Sequence, residues 1–140
     1  MSQVVIRHIE GVTLMGRAKS NHWVVMDGPE TFGGAEAATK PMELLLLGLG
    51  GCTSMDTLSI LRKMRENVFD YEMQLESERA DEHPMVFTKI HLKYTFYGKN
   101  INADNVKKAI ELSMVRYCAA TAMLQKTAEI TYDFEIKEME

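Results

Sequence analysis

The stretch PMELLLLGLGGCTSMDTLSILRKMRE, residues 41–66, decides the fold of this chain. Pro41 suits the first turn of a helix, where its missing N–H would have had no partner anyway. Thr39 is placed to cap that turn, and Glu43 sets negative charge near the positive end of the helix dipole. Leu44, Leu47, Leu58 and Leu61 carry a helical pattern on to about Glu66. Gly48, Gly50 and Gly51 fall together inside it, and each costs about 1 kcal/mol against Ala in a helix interior, so the cluster asks for a packing or bending reason. The stretch is rich in Leu, but Glu43 and Asp56 interrupt it, and a carboxylate within a bilayer is costly. It reads as a core helix rather than a membrane span.

Upstream, residues 4–9 and 12–18 flank Glu10-Gly11, and residues 22–26 precede Asp27-Gly28-Pro29, which predicts an N-terminal meander of three short strands. Residues 30–40 carry Gly33-Gly34 and no apolar period, so they read as an exposed, mobile loop. Downstream, residues 70–79 alternate through Tyr71, Met73 and Leu75, and the polar turn 80–84 leads into a second arm. That arm puts Val86, Thr88, Ile90, Leu92, Tyr94 and Phe96 on one face and Phe87, Lys89, His91, Lys93, Thr95 and Tyr97 on the other, the pattern of a half-buried strand. After Gly98-Lys99-Asn100, residues 103–126 place Val106, Ile110, Met114, Tyr117, Cys118 and Thr121 at helical spacing, predicting one helix buried along a single face. Ile130, Tyr132, Phe134 and Ile136 mark a last strand. The predicted order is βββαββαβ, an α+β fold in a single domain, 1–140.

Composition excludes several classes. The chain has 140 residues, 46% of them apolar and 26% charged, which is ordinary for a folded domain. Its net charge is −4 and its 16 Lys and Arg are scattered, so no basic stripe exists to neutralise nucleic-acid phosphates. The first eight residues alternate like a strand and lack a secretory pattern, and a cytoplasmic location is expected. No phosphate-binding glycine loop and no serine-hydrolase elbow occurs. The four His show no pair at ligand spacing, and neither metal nor other cofactor is expected.

The candidate chemistry lies with the two cysteines, 66 positions apart, which form no sequence-local metal motif; in a reducing cytoplasm their pairing would be transient. Cys52 follows the glycines, which would let a substrate or a second element approach its sulfur. A thiol of pKa ~8.5 needs a nearby cation or a helix start to be a good nucleophile. Cys52 lies about three turns into the helix, beyond the reach of the dipole, and Asp56 at i+4 shares its face and would raise its pKa. A compensating cation is therefore required. Arg17 is the one arginine between residues 8 and 61 and is the candidate, with Arg116 ranked below it. Glu43 lies nine residues before Cys52, roughly 13.5 Å along a straight helix and on nearly the opposite face, so a shared role would need a bridging arginine or a kink. An inert core cysteine and a simple helix-end charge are the competing readings of Cys52 and Glu43. The eleven Met more often fill cores, though a Met-lined apolar cleft could admit an apolar substrate.

Pro41-Met42-Glu43-Leu44-Leu45, then Gly50-Gly51-Cys52, then Arg116-Tyr117-Cys118-Ala119-Ala120 and a terminal strand together resemble the OsmC/Ohr family, of osmotically inducible and organic-hydroperoxide-resistance proteins. The likeness is strongest to its YhfA-like branch. It implies an intertwined homodimer with two long central helices packed against antiparallel sheets. It also implies thiol peroxidase chemistry: Cys52 attacks an organic hydroperoxide and becomes a sulfenic acid, Cys118 resolves it as a disulfide, and an external dithiol restores the pair. In the family a glutamate at the position of Glu43 engages an arginine that steadies the thiolate, and that arginine would here be Arg17. Ala119 stands where many relatives have Pro, and no clear family arginine motif precedes the helix. The alternative is a non-catalytic redox protein, or one binding a small apolar ligand, on the same fold.

Overall fold

The long helix forms where its sequence places it. In the computed structural model, which describes residues 2–140, α1 spans Pro41–Lys63 and runs unbroken through all three glycines. Its cap differs from expectation by one residue. With Pro41 as the first helical residue, Lys40 occupies the capping position, and Glu43 reaches back so that its Oε1 accepts the Lys40 backbone N–H at 2.8 Å. This is the carboxylate half of a capping box. Thr39 lies too early to cap and instead bridges to Met26.

By its contacts the chain forms two compact units, one ending at Leu47 and the other Gly48–Glu140. The first holds β1 (Val5–Glu10), β2 (Thr13–Arg17) and β3 (Val24–Met26) in one antiparallel sheet of that order. The segment expected as a loose loop is tied down by Asp27. Its carboxylate is buried and accepts the N–H groups of Gly28 at 2.8 Å, Ala37 at 3.1 Å and Ala35 at 3.2 Å. Burial alone would push this carboxyl up, but those N–H groups and the Thr13 hydroxyl together hold it below the usual value. Gly34 makes the wrap possible, because a Cβ there would stand 2.0 Å from the Gly28 carbonyl oxygen.

The second unit holds β4 (Asn67–Arg79), β5 (Phe87–Lys99) and β6 (Glu129–Glu138) in the order β4-β5-β6. β4 and β5 form the expected antiparallel hairpin. A register shift at Glu78/Arg79 sets Arg79 opposite Phe87, so Phe87 is buried while Val86 is exposed, the reverse of simple alternation. Further along, Ile90, Leu92, Tyr94 and Phe96 face the core as predicted. β6 corrects the expectation of purely antiparallel sheets: it pairs with β5 in parallel, Lys89 opposite Glu129 through Gly98 opposite Glu138. The chain returns through a helical crossover after β5, and a crossover of that length delivers the next strand in the same direction.

That crossover is also not the single helix predicted over 103–126. It consists of α2 (Ala103–Leu112), a π turn at Ser113–Tyr117, an extended Cys118 and α3 (Ala119–Leu124). The wider turn shifts the helical phase, so Ser113 is buried while Tyr117, placed on the buried stripe by spacing, is 55% exposed. Leu49, Thr53, Thr57 and Leu61 of α1, the β5 row, and Val106, Ala109 and Ile110 of α2 make the buried core of this unit. α1 is long and apolar enough by composition to cross a membrane, yet this buried row is the pattern of a core helix. Of the three helix glycines, Gly50 has the packing reason: a Cβ there would meet Leu75 at 3.0 Å and Met73 at 3.3 Å, whereas Gly48 and Gly51 face open space.

Candidate functional site

Three side chains converge in the second unit. The sulfurs of Cys52 and Cys118 and a carboxylate oxygen of Asp56 all lie within 4.8 Å of one another. Cys52 and Asp56 come together because i and i+4 share a helix face. Cys118 arrives through the break in the second helical segment. Its N–H donates to the Ser113 carbonyl at 2.7 Å, its backbone turns extended at φ −76° and ψ 103°, and its Sγ caps α3 by accepting the Thr121 N–H at 3.4 Å. Cys52 is half-buried, whereas Cys118 is 3% exposed.

Burial pushes the Cys118 thiol above its ordinary value of 9.0; the Thr121 hydroxyl and N–H work the other way, the adjoining Cys52 adds to the rise, and the net direction is upward. Thr121 Oγ1 itself is buried and has no full hydrogen bond among the described residues.

Asp56 is held by a line of hydroxyls whose proton order can be deduced. Ser113 Oγ lies 3.1 Å from Asp56 Oδ2, Thr53 Oγ1 lies 2.8 Å from Ser113 Oγ, and Tyr94 OH lies 2.7 Å from Thr53 Oγ1. An ionised carboxylate only accepts, so Ser113 must donate to it. With its single proton committed, Ser113 accepts from Thr53, and Thr53 in turn accepts from Tyr94. Thr53, Ser113 and Tyr94 are all fully buried, and burial pushes the Tyr94 hydroxyl well above the usual phenol range. The line therefore stays protonated and points its dipoles at Asp56.

The other candidates each have partners of their own. Arg17 and Glu43 belong to the first unit, where Arg17 donates to Asn21 Oδ1 and sits 5.2 Å over the Trp23 ring, and Glu43 serves the Lys40 cap. Arg116 sits 5.6 Å over the ring of its neighbour Tyr117. Within the second unit Lys93 pairs with Glu135 at 3.7 Å and His91 Nε2 lies 3.6 Å from Asp133, and no basic side chain of that unit lies within ion-pair distance of Asp56. Beside Asp56 opens a cavity of about 300 Å³ lined by Ser59, Ile60, Lys63, Leu112 and Tyr117 as well. No methionine lines it, so it is not the Met-lined cleft that composition allowed.

Residues 33–133 match the model of the family described as OsmC-like protein. Protein YhfA of Escherichia coli K12 is 37% identical over 134 residues, covering 96% of this chain and 97% of that one. The chain belongs to the OsmC-like family. The OsmC-like fold recurs in a hypothetical protein from Aquifex aeolicus VF5, at 25% identity and TM-score 0.87 over 100% of this chain and 98% of that one. The organic hydroperoxide resistance protein OhrB of Bacillus subtilis shares it at TM-score 0.62, with 11% identity over 96% of this chain and 98% of its own. At that identity the likeness speaks for the fold. On this OsmC-like scaffold the i+4 spacing of Asp56 from Cys52 was visible in the sequence, whereas Thr53, Ser113 and Tyr94 carried no signal of a shared role.

Proposed function

We propose that this protein reduces organic hydroperoxides by thiol chemistry, with Cys52 as the attacking sulfur and Cys118 as the resolving one. Family membership supports a redox or peroxide-resistance role at the general level. The observation that carries the finer reading is the approach of the two sulfurs, one half-buried and reachable, the other buried and held as a thiol. In the first step the Cys52 thiolate and a proton convert ROOH to ROH and leave Cys52 as a sulfenic acid. The Cys118 thiol then attacks that sulfur, water leaves, and a disulfide forms. An external dithiol returns both cysteines to thiols and is itself oxidised. Cys118 sits in extended backbone between the π turn and α3, and rotation of its side chain toward Cys52 would close the remaining gap. Reduction between turnovers suits the cytoplasm.

Arg17 is the cation this reading assigns to the Cys52 thiolate, with Glu43 orienting it. Two copies of the chain are proposed to pair, because the second unit leaves Met55 75%, Val115 87% and Met123 69% exposed. Met55→Glu should then convert a dimer to a monomer in sedimentation, and an unchanged mass would remove Met55 from the interface.

The deciding experiment is stopped-flow reduction of cumene hydroperoxide. Wild type should consume one equivalent in a rapid phase, Cys52→Ser should lack it, and Cys118→Ser should keep it and accumulate a dimedone-reactive sulfenic acid. Oxidation of Cys52 no faster than that of a free thiol would refute the reading. A non-catalytic redox role is favoured by one observation, the Asp56 carboxylate beside both sulfurs, and that same result would support it.

A further inference from the structure

We propose that Cys52, Asp56 and Cys118 form a binding site for one soft divalent cation of the zinc and cadmium class. The donor set is two sulfurs and one carboxylate oxygen, all within 4.8 Å of one another. Two thiolates select soft or borderline ions over magnesium and calcium, which take oxygen ligands. In a tetrahedral site with metal–sulfur bonds of about 2.3 Å, two sulfurs stand about 3.8 Å apart, so the sulfur pair needs to contract by roughly 1 Å at most. Three protein ligands leave the fourth position to water, the arrangement of an open rather than a closed zinc site.

Presentation and support favour the assignment. Cys52 and Asp56 project from one face of a continuous helix, and Cys118 comes from the extended residue between two helical segments. Each of two donors already has an outer partner of the kind that orients metal ligands: Ser113 donates to Asp56 Oδ2 at 3.1 Å, and the Thr121 N–H donates to Cys118 Sγ at 3.4 Å. The buried Thr121 hydroxyl lies beside Cys118 and is without a full hydrogen bond of its own. Within the second unit Asp56 lacks a cationic partner, and a bound ion supplies that charge.

On binding, the two thiols give up two protons to water, and two thiolates and one carboxylate take the ion. Nothing is oxidised or reduced. The metal covers both sulfurs, so the metal-bound and peroxide-reactive states exclude one another. The site stands on geometry and does not depend on peroxide being a substrate.

The test is titration of the reduced full-length protein with cadmium chloride in metal-free buffer, following the thiolate-to-cadmium charge-transfer absorbance in the ultraviolet, with native mass spectrometry for stoichiometry. One cadmium per chain should bind with a saturating band, and both thiols should become unreactive to a thiol reagent until a chelator is added. Cys52→Ser should lose the band. Asp56→Asn, which keeps both thiols and the side-chain shape, should weaken binding at least tenfold, since losing a charged direct ligand costs no less than the about 10–100-fold seen when only an outer partner of a ligand is lost. Circular dichroism checks that each variant is folded, and Cys118→Ser, should it misfold, is not needed for the decision. A band that does not saturate, one cadmium shared between two chains, or equal affinity in Asp56→Asn would overturn the proposal. Failure of peroxide reduction with a normal cadmium band would refute the peroxidase reading alone.

Discussion

Thr53→Val is the substitution that tests the buried hydroxyl line most directly. The side chain keeps its shape and loses the oxygen that joins Tyr94 at 2.7 Å to Ser113 at 2.8 Å. Because the line donates toward Asp56, the loss falls on two groups unequally. The Tyr94 hydroxyl, fully buried, is left as a donor with no acceptor, at about 1–3 kcal/mol. Ser113 keeps its bond to Asp56 and loses only an incoming hydrogen bond, at about 0.5–1.5 kcal/mol. Together the variant should be about 2–4 kcal/mol less stable, and with a urea slope of ~2 kcal/mol/M its midpoint should fall by about 1–2 M. The double variant Thr53→Val/Tyr94→Phe removes the orphaned donor and should recover about 1–2 kcal/mol relative to Thr53→Val, a coupling that a double-mutant cycle by urea denaturation reads directly. A single variant within about 0.5 kcal/mol of wild type, or a double variant no more stable than the single, would refute the proton order deduced for the line.

Two further outcomes follow from shifted groups. Resolution of the Cys52 sulfenic acid requires the Cys118 thiolate, and burial pushes that thiol above 9.0, so single-turnover disulfide formation should be slow at neutral pH and rise about tenfold per pH unit until the raised pKa is passed. A flat profile from pH 6 to 9 would mean that Cys118 is not the resolving group. Asp27 has its carboxyl held below 3.8, so its contribution is fully present above that value and is lost as pH falls through the lowered one. Hydrogen exchange should therefore show the Ala35 and Ala37 amides protected in wild type at neutral pH and unprotected in Asp27→Asn; equal protection in both would show that the loop is held by something else.

What could be read from residue order is what local physics determines. Pro41, Glu43 and the leucines behind them produce a helix because start chemistry and 3.6-residue periodicity act within a few turns, whatever the chain does elsewhere. β5 was legible for the same reason, since alternation from Ile90 to Phe96 is a property of the strand itself. The pair Cys52 and Asp56 was legible as an i, i+4 relation, and the family resemblance named Cys118 as the partner sulfur. Tertiary structure decided the rest. Alternation in β6 is the same whether its neighbour runs parallel or antiparallel, so only the crossover fixed its direction. Ser113–Tyr117 contains neither Gly nor Pro, and nothing in its propensities marks the π turn that carries Cys118 to Cys52. Thr53 and Ser113, 60 positions apart, look like ordinary small polar residues on helices, and they become a support for Asp56 only where packing buries them and brings their hydroxyls within 2.8 Å of each other.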